Sequence, residues 1–177
     1  MKKVAVIIGA LFFTVVSCKK ESTNMTYKSY SKYENSNGSG TIQKEQTVRV
    51  EEDIKGNINV NGIAAITHPI TISNDMNINK CGKIIIDIEK TKDKKNEVIV
   101  GANANINDSI IVIKGTLRIT GDLNNNATGF INCKNEGKII VEKNLNQNGV
   151  IYGYKNFDVK QNRNLNQGHR TEDESLE

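Results

Sequence analysis

The chain has 177 residues, of which 25% are charged and 37% hydrophobic, and its formal net charge is +4 at pH 7. This length is typical of one domain with terminal extensions. The small net charge argues against binding to nucleic acid, and the low aromatic content, 5% with no tryptophan, leaves only Tyr152 and Tyr154 as candidate stacking residues for a sugar.

The first 17 residues are organised like a secretory signal sequence. "MKK" gives a basic start, and residues 4–16 form an uninterrupted apolar run. This run is shorter than the roughly 20 residues that cross a bilayer, and it has the length of a signal-peptide core. It is followed by "VVSC", in which Ser17 precedes Cys18. Removal of residues 1–17 would leave 22 basic against 20 acidic residues, a formal charge of +2.

The "VVSC" sequence resembles the lipobox of bacterial lipoproteins, where a signal peptidase cuts before a cysteine that becomes acylated. Val16 is larger than the residue usual at that position of the family pattern. The resemblance implies lipid attachment at Cys18 and a location in the cell envelope, on the outer membrane, with exposure at the cell surface left open. Each buried acyl CH₂ contributes about 0.8 kcal/mol, so more than one chain anchors a protein stably. The alternative is an ordinary secretory signal with an incidental cysteine.

The next segment, residues 18–46, is predicted to be a polar tether. It is rich in Ser, Asn and Lys and poor in aliphatic residues. Such a composition does not bury enough apolar surface to fold alone. A coil of about 25 residues has a root-mean-square reach of roughly 25–30 Å.

Six segments after the tether align without gaps. Their first and third positions are apolar, with a mostly polar residue between them, as in a half-buried strand. They begin at Val48, Ile70, Val98, Leu117, Ile139 and Phe157. The sixth position is occupied by Asp53, Asp75, Asn103, Asp122, Asn144 and Asn162. The tenth is occupied by Asn57, Asn79, Asn107, Asn126, Asn148 and Asn166.

This repeat predicts an all-β, parallel β-solenoid of about six short coils over residues 47–167. Single units are too short to bury a core, whereas stacked units do so together. Stacked coils lie about 4.8 Å apart, and equivalent Asn amides then hydrogen-bond along the stack. The pattern resembles right-handed parallel β-helix proteins over residues 47–166. An antiparallel sandwich is the alternative, but it does not explain the recurring Asp and Asn positions.

The sequence also indicates how the solenoid ends. We expect the Tyr-containing segment before Thr47 to cover one end. Arg163 interrupts an apolar column in the last unit, which is typical of a degraded capping coil. Residues 168–177 are charged and lack a pattern, so a disordered tail is predicted.

Few residues suggest chemistry. Asp53, Asp75 and Asp122 form the best candidate for a carboxylate or calcium site, but the alternation of Asp with Asn favours structural corners. His68 and His169 lie in no visible catalytic arrangement, and no metal site or cofactor is predicted.

Cys81 and Cys133 fall two coils apart in the predicted register, about 9–10 Å, which exceeds the Cα separation of roughly 7 Å that a disulfide allows. Both are therefore predicted to be free, largely buried thiols.

The longest unit contains the lysine-rich stretch at residues 89–97. Insertions in solenoids often carry recognition, so Lys92, Lys94 and Lys95 form a candidate partner-binding loop, with a solvated charged loop as the alternative.

The sequence predicts a lipid-anchored, non-enzymatic envelope protein that acts in surface interaction, adhesion or envelope structure. Its partners would be the membrane, through Cys18, and a glycan or an envelope protein. A small polysaccharide lyase or hydrolase and an inhibitor or immunity lipoprotein are the alternatives.

Overall fold

The computed structural model describes residues 30–34, 40–90 and 95–177. These residues form short strands, joined by tight corners, and one turn of 3₁₀ helix at Tyr154–Asn156. The strands are β1 (Ser31–Lys32), β2 (Gly40–Ile42), β3 (Thr47–Val50), β4 (Ile58–Val60), β5 (Ile63–Ile66), β6 (Ile70–Ile72), β7 (Met76–Ile78), β8 (Lys83–Asp87), β9 (Glu97–Val100), β10 (Ala104–Ile106), β11 (Ser109–Ile119), β12 (Leu123–Asn125), β13 (Phe130–Val141), β14 (Leu145–Gln147), β15 (Val150–Tyr152), β16 (Phe157–Val159), β17 (Arg163–Leu165) and β18 (Arg170–Glu172).

The strands stack in parallel on three faces. The first face contains β1, β3, β5, β8, the first parts of β11 and β13, β15 and β18. The second face contains β6, β9, the last parts of β11 and β13, and β16. Because β11 and β13 continue through the corner between these faces, the two faces form one sheet of 11 described strands. The third face is a separate sheet of β2, β4, β7, β10, β12, β14 and β17.

The seven described strands of the third face correspond to about seven turns of a parallel β-solenoid. The predicted solenoid is therefore confirmed, with one more turn than the predicted six. At the usual strand spacing the stack is roughly 30 Å long. The antiparallel sandwich is excluded as an account of the described strands because their pairs are parallel. The right-handed winding stays a prediction.

Aliphatic side chains fill the interior in columns. In one column of the second face, Ile70, Val98, Leu117 and Ile139 are register partners and are all at most 3% exposed. Burying one such side chain contributes about 1.5–3 kcal/mol. Ile119 and Val141 are likewise register partners, as the predicted columns require.

A ladder of asparagines runs along the outside of the third face. Each Asn donates its Nδ2–H to the Oδ1 of the Asn one turn earlier, at 2.7–3.0 Å. The rungs are Asn59, Asn77, Asn105, Asn124, Asn146 and Asn164. The predicted stacking of like amides is thus confirmed, but this column is a further one that the sequence alignment did not identify.

The first aligned unit was placed in the wrong register. Val48 pairs with Ala64 on the first face, whereas Ile54 pairs with Ile72 on the second. The Oδ1 of Asn57 accepts a hydrogen bond from the N–H of Asp75, so Asn57 belongs to the column predicted for Asp53. The alternation of apolar and polar residues is the same on every face, and it therefore does not reveal which face a strand occupies.

The N-terminal end of the core is covered, as predicted, by the Tyr-containing segment. Tyr33 packs against the core, and its N–H donates to Arg49 O at 2.8 Å. A Cβ at Gly40 would lie 3.0 Å from the Tyr33 hydroxyl, so glycine permits this contact. Because β1 and β2 pair with β3 and β4, the solenoid begins inside the segment predicted to be a tether.

The C-terminal end is finished by polar residues. The Arg163 guanidinium lies 5.4 Å from the centre of the Tyr154 ring, and Leu165 is 46% exposed. This agrees with a degraded capping coil. β18 pairs with β15, so Arg170–Glu172 is an ordered strand and not part of a disordered tail.

The two cysteines within the described residues differ. Cys133 is a buried free thiol, as predicted, and burial raises its pKa to about 12, which disfavours the reactive thiolate. Cys81 is only partly buried and is disulfide-bonded, so the prediction of a free thiol there is wrong. Cys133 is not its partner.

Removal of an inner rung should destabilise the solenoid more than removal of the last rung. Asn105→Ala abolishes two amide hydrogen bonds, so we expect a loss of about 1–3 kcal/mol in unfolding free energy. Asn164→Ala abolishes one exposed bond and should cost about 1 kcal/mol or less. Urea unfolding followed by circular dichroism measures both, and equal losses would contradict a cooperative ladder.

Candidate functional site: a charged cleft beside the lysine-rich loop

The corner between the first and second faces is the most variable part of the solenoid. In one turn β8 and β9 are separated by residues 88–96, whereas β11 and β13 continue without a break through the same corner in the next two turns. β11 bends there with an irregularity between Val112 and Lys114, and Gly115 has a φ of +88°. Glycine suits that conformation because side chains with a Cβ rarely adopt it.

This corner contains a cleft of about 400 Å³. It is lined by Lys90, Lys95, Asn96, Glu97, Gly115, Thr116, Arg118, Glu136 and Lys138. A second hollow of about 330 Å³ adjoins it through Lys138. That hollow is lined by Gly137, Lys138, Lys155, Asn156, Phe157 and Asp158. Together they form an open, polar groove across several turns, which we call the corner cleft.

Arg118 is the most strongly paired charge in the corner cleft. Its guanidinium bonds to Glu97 at 3.1 Å and to Glu142, carboxylates one turn before and one turn after it. The hydrogen bonds that the guanidinium donates to Glu97 and to Glu142 raise the pKa of Arg118. Arg118 therefore joins three turns and is not a free charge for a ligand.

Other charges of the corner cleft are exposed. Asp158 lines the cleft, and Lys160, outside it, lies 2.7 Å away and donates a hydrogen bond that lowers the pKa of the Asp158 carboxyl. Lys138 is 3.9 Å from the same carboxylate. Lys90 and Lys95 have no carboxylate within salt-bridge distance among the described residues. Exposed ion pairs stabilise a fold little, because solvent screens them, so the cleft lysines remain available to an anionic group.

The predicted binding loop is located only in part. Lys95 lines the corner cleft. Lys92, Lys94 and the predicted lipidation residue Cys18 lie outside the described residues. Sequence reasoning missed Glu136 and Lys138, because they lie within β13 at a position that only strand register places beside the loop.

The acidic residues considered for catalysis or calcium have structural partners. Asp75 Oδ1 accepts the N–H of Asn103 at 2.9 Å, and Asp122 Oδ1 accepts the N–H of Asn144 at 3.0 Å. Asp53 instead accepts the N–H of Thr71 at 2.6 Å. Each carboxylate therefore satisfies the backbone of the following turn, as structural corners require.

The remaining candidates also have packing or local partners. His68 bonds to the neighbouring Thr67, and His169 bonds to Asn166 O. Tyr152 lies against Phe130 with ring centres 5.9 Å apart, and Tyr154 packs on Phe157. Neither tyrosine lines the corner cleft.

Across residues 30–34, 40–90 and 95–177, no three His, Cys, Asp or Glu side chains lie close enough together to hold a metal ion. No helix in this part of the chain has the length and apolar character needed to cross a bilayer. No protein-family model, curated protein or solved structure matches the sequence.

Two substitutions of Asp122 test whether the fold needs its side-chain oxygen as a hydrogen-bond acceptor or needs its negative charge. Asp122→Asn retains the oxygen that accepts the Asn144 N–H and should change the unfolding free energy by about 0.5 kcal/mol or less. Asp122→Ala removes the acceptor from two hydrogen bonds and should cost about 1–2 kcal/mol. Urea unfolding distinguishes them, and an Asn variant as unstable as the Ala variant would contradict the corner role.

Proposed function

We propose that the protein is a lipid-anchored, non-enzymatic solenoid of a bacterial cell envelope that binds a surface partner through the corner cleft. The observation that carries the proposal is the combination of the lipobox-like sequence at Cys18 with a self-stacking rod that begins within about 15 residues of it. An anchor followed closely by a rigid rod is suited to presenting a surface at a membrane.

A structural role for the carboxylates supports the non-enzymatic part of the proposal. Asp75 and Asp122 are held by backbone N–H groups of the next turn. Glycoside hydrolysis needs one carboxyl group as an acid and a second as a base or nucleophile, both facing the substrate. Asp75 and Asp122 are bonded to backbone N–H groups at corners of the solenoid, whereas glycoside hydrolysis requires two carboxyl groups that face the substrate.

The corner cleft supports the binding part. Lys90, Lys95 and Lys138 lie around it, exposed, beside the lysine-rich loop. Loops on a rigid scaffold are common places for recognition. An anionic group of an envelope glycan or protein would complement this lysine-rich side of the groove.

The anchor is tested by changing Cys18 to Ala, with Cys133→Ala as the matched control. We expect the unaltered protein and the control in the membrane fraction, resistant to a high-salt wash and released by detergent, and Cys18→Ala in the soluble fraction. Retention of Cys18→Ala on membranes would overturn the anchor.

Mass spectrometry under non-reducing conditions gives a second test of the anchor. The sequence has three cysteines, of which Cys81 is disulfide-bonded and Cys133 is free, so lipidation of Cys18 requires that the envelope form of the protein hold Cys81 as a thiol or bond it to another molecule. A disulfide from Cys81 within one chain of membrane-extracted protein would contradict lipidation at Cys18.

The cleft is tested with soluble Cys18→Ala protein and washed envelopes of the producing bacterium. Changing Lys95 and Lys138 together to Glu should weaken binding about three- to tenfold at low salt, because two exposed charges are reversed. The control changes Lys44 and Lys55, which are exposed and outside the cleft. Equal binding by both double variants would exclude the corner cleft.

A further inference from the structure

The chain after β18 folds back over the outside of the first face. Gly153, directly after β15, donates its N–H to Glu174 O at 2.9 Å, which fixes Glu174 beside the turn that contains β15. Asn132 Nδ2 donates to Leu176 O at 3.0 Å, and Leu176 N–H donates to Asn132 Oδ1 at 3.1 Å. Residues 173–177, which we call the tail, therefore run from β18 past β15 to β13, two strands back along the first face.

Asn132 is unusual for an outward position of this face. Its neighbours Ile131 and Cys133 belong to the core, so its own side chain points outward, yet it is only 4% exposed. The Asn132 side-chain amide donates to the C=O of Leu176 and accepts from the N–H of the same residue. This two-point contact is what a neighbouring strand would make, and it depends on main-chain groups that every residue except proline offers.

Two further features would select a particular peptide. Lys155 bonds to both carboxylate oxygens of Glu174, at 2.7 and 2.8 Å, two residues before Leu176. Phe130 and Tyr152 form a half-buried ring pair on the outward side of the same strands. The surface thus combines a backbone clamp, a cation and an apolar neighbour.

The tail itself uses this surface weakly. Glu174 has a side chain that is 79% exposed, and Leu176 is 41% exposed. Segments with few buried contacts open at small free-energy cost. The tail benefits from its covalent attachment, which is equivalent to roughly millimolar concentration. A free segment with added apolar contact would therefore compete with it.

We propose that Asn132, Gly153, Lys155 and the Phe130–Tyr152 pair form a binding site for an extended segment of a partner protein. The segment carries a carboxylate two residues before the residue clamped by Asn132. The chain's own tail occupies the site in the absence of that partner. The site shares Lys155 with the edge of the corner cleft, but it contains none of the residues that are changed in the tests of the anchor and of the cleft, so the two proposals fail independently.

The test uses full-length protein and a variant that lacks residues 173–177, each titrated with the pentapeptide DESLE and followed by NMR. We expect the shortened chain to bind with a Kd of about 0.1 mM or tighter, with shifts centred on Asn132 and the Gly153 amide. The full-length chain should bind at least about tenfold more weakly, because the tail competes.

Variants of the shortened chain decide whether the contacts are those proposed. Asn132→Leu should abolish binding, whereas Asn135→Leu, an exposed position on the same strand, should leave it unchanged. The peptide DKSLE, with Lys at the position of Glu174, should bind weakly and regain affinity with the Lys155→Glu variant. Absence of peptide binding, or binding insensitive to Asn132→Leu, would overturn the proposal.

Hydrogen exchange in the full-length protein keeps the proposal testable if the shortened chain does not fold. The Leu176 amide should exchange much faster than the Ile131 amide in the underlying strand, because the tail opens alone. Equal rates would show that the tail is an integral part of the solenoid and would refute a displaceable tail.

Discussion

The structure depends on the satisfaction of side-chain amides by identical residues one turn away. A strand of three residues is marginal by itself, and the third face consists of such strands. Each outward Asn donates to the turn before it and accepts from the turn after it. Coupled amide bonds of this kind strengthen one another. At the adjoining corner, Asn and Asp oxygens perform the same task for backbone N–H groups.

The strands on all three faces stack in fixed register. Turns of different length must therefore place their extra residues in the corners between the faces. Asn59 and Asn77 are 18 residues apart, whereas Asn77 and Asn105 are 28 apart, yet each pair is directly bonded. The additional residues lie between β8 and β9, and Lys90, Lys95 and Asn96 among the described ones line the corner cleft. A variable surface is thereby carried on an invariant stack, an arrangement in which loops commonly acquire binding roles.

The two ends of the stack differ in a way that suits an anchored rod. Tyr33 covers the N-terminal end with an aromatic ring, whereas the C-terminal end has Arg163 on Tyr154 and the tail across the first face. Charged and irregular last turns discourage unwanted pairing of open strand edges. With Cys18 lipidated as proposed, the covered end would lie nearer the membrane, and the tail would lie at the far end of the rod.

The sequence by itself determined the class of fold, because stacking in register needs the same residue type in every turn, and the recurrence is visible along the chain. It identified the inward columns that include Ile119 and Val141, the covering role of the Tyr segment and the interruption at Arg163. Only the tertiary structure decided which face each strand occupies, since "VRV" at Val48 alternates on the first face as it would on the second. It alone also decided the Arg118 pairs and the clamp between Asn132 and Leu176, which are 44 residues apart. Such contacts join residues that share no local pattern, so they exist only once the winding has brought the turns together.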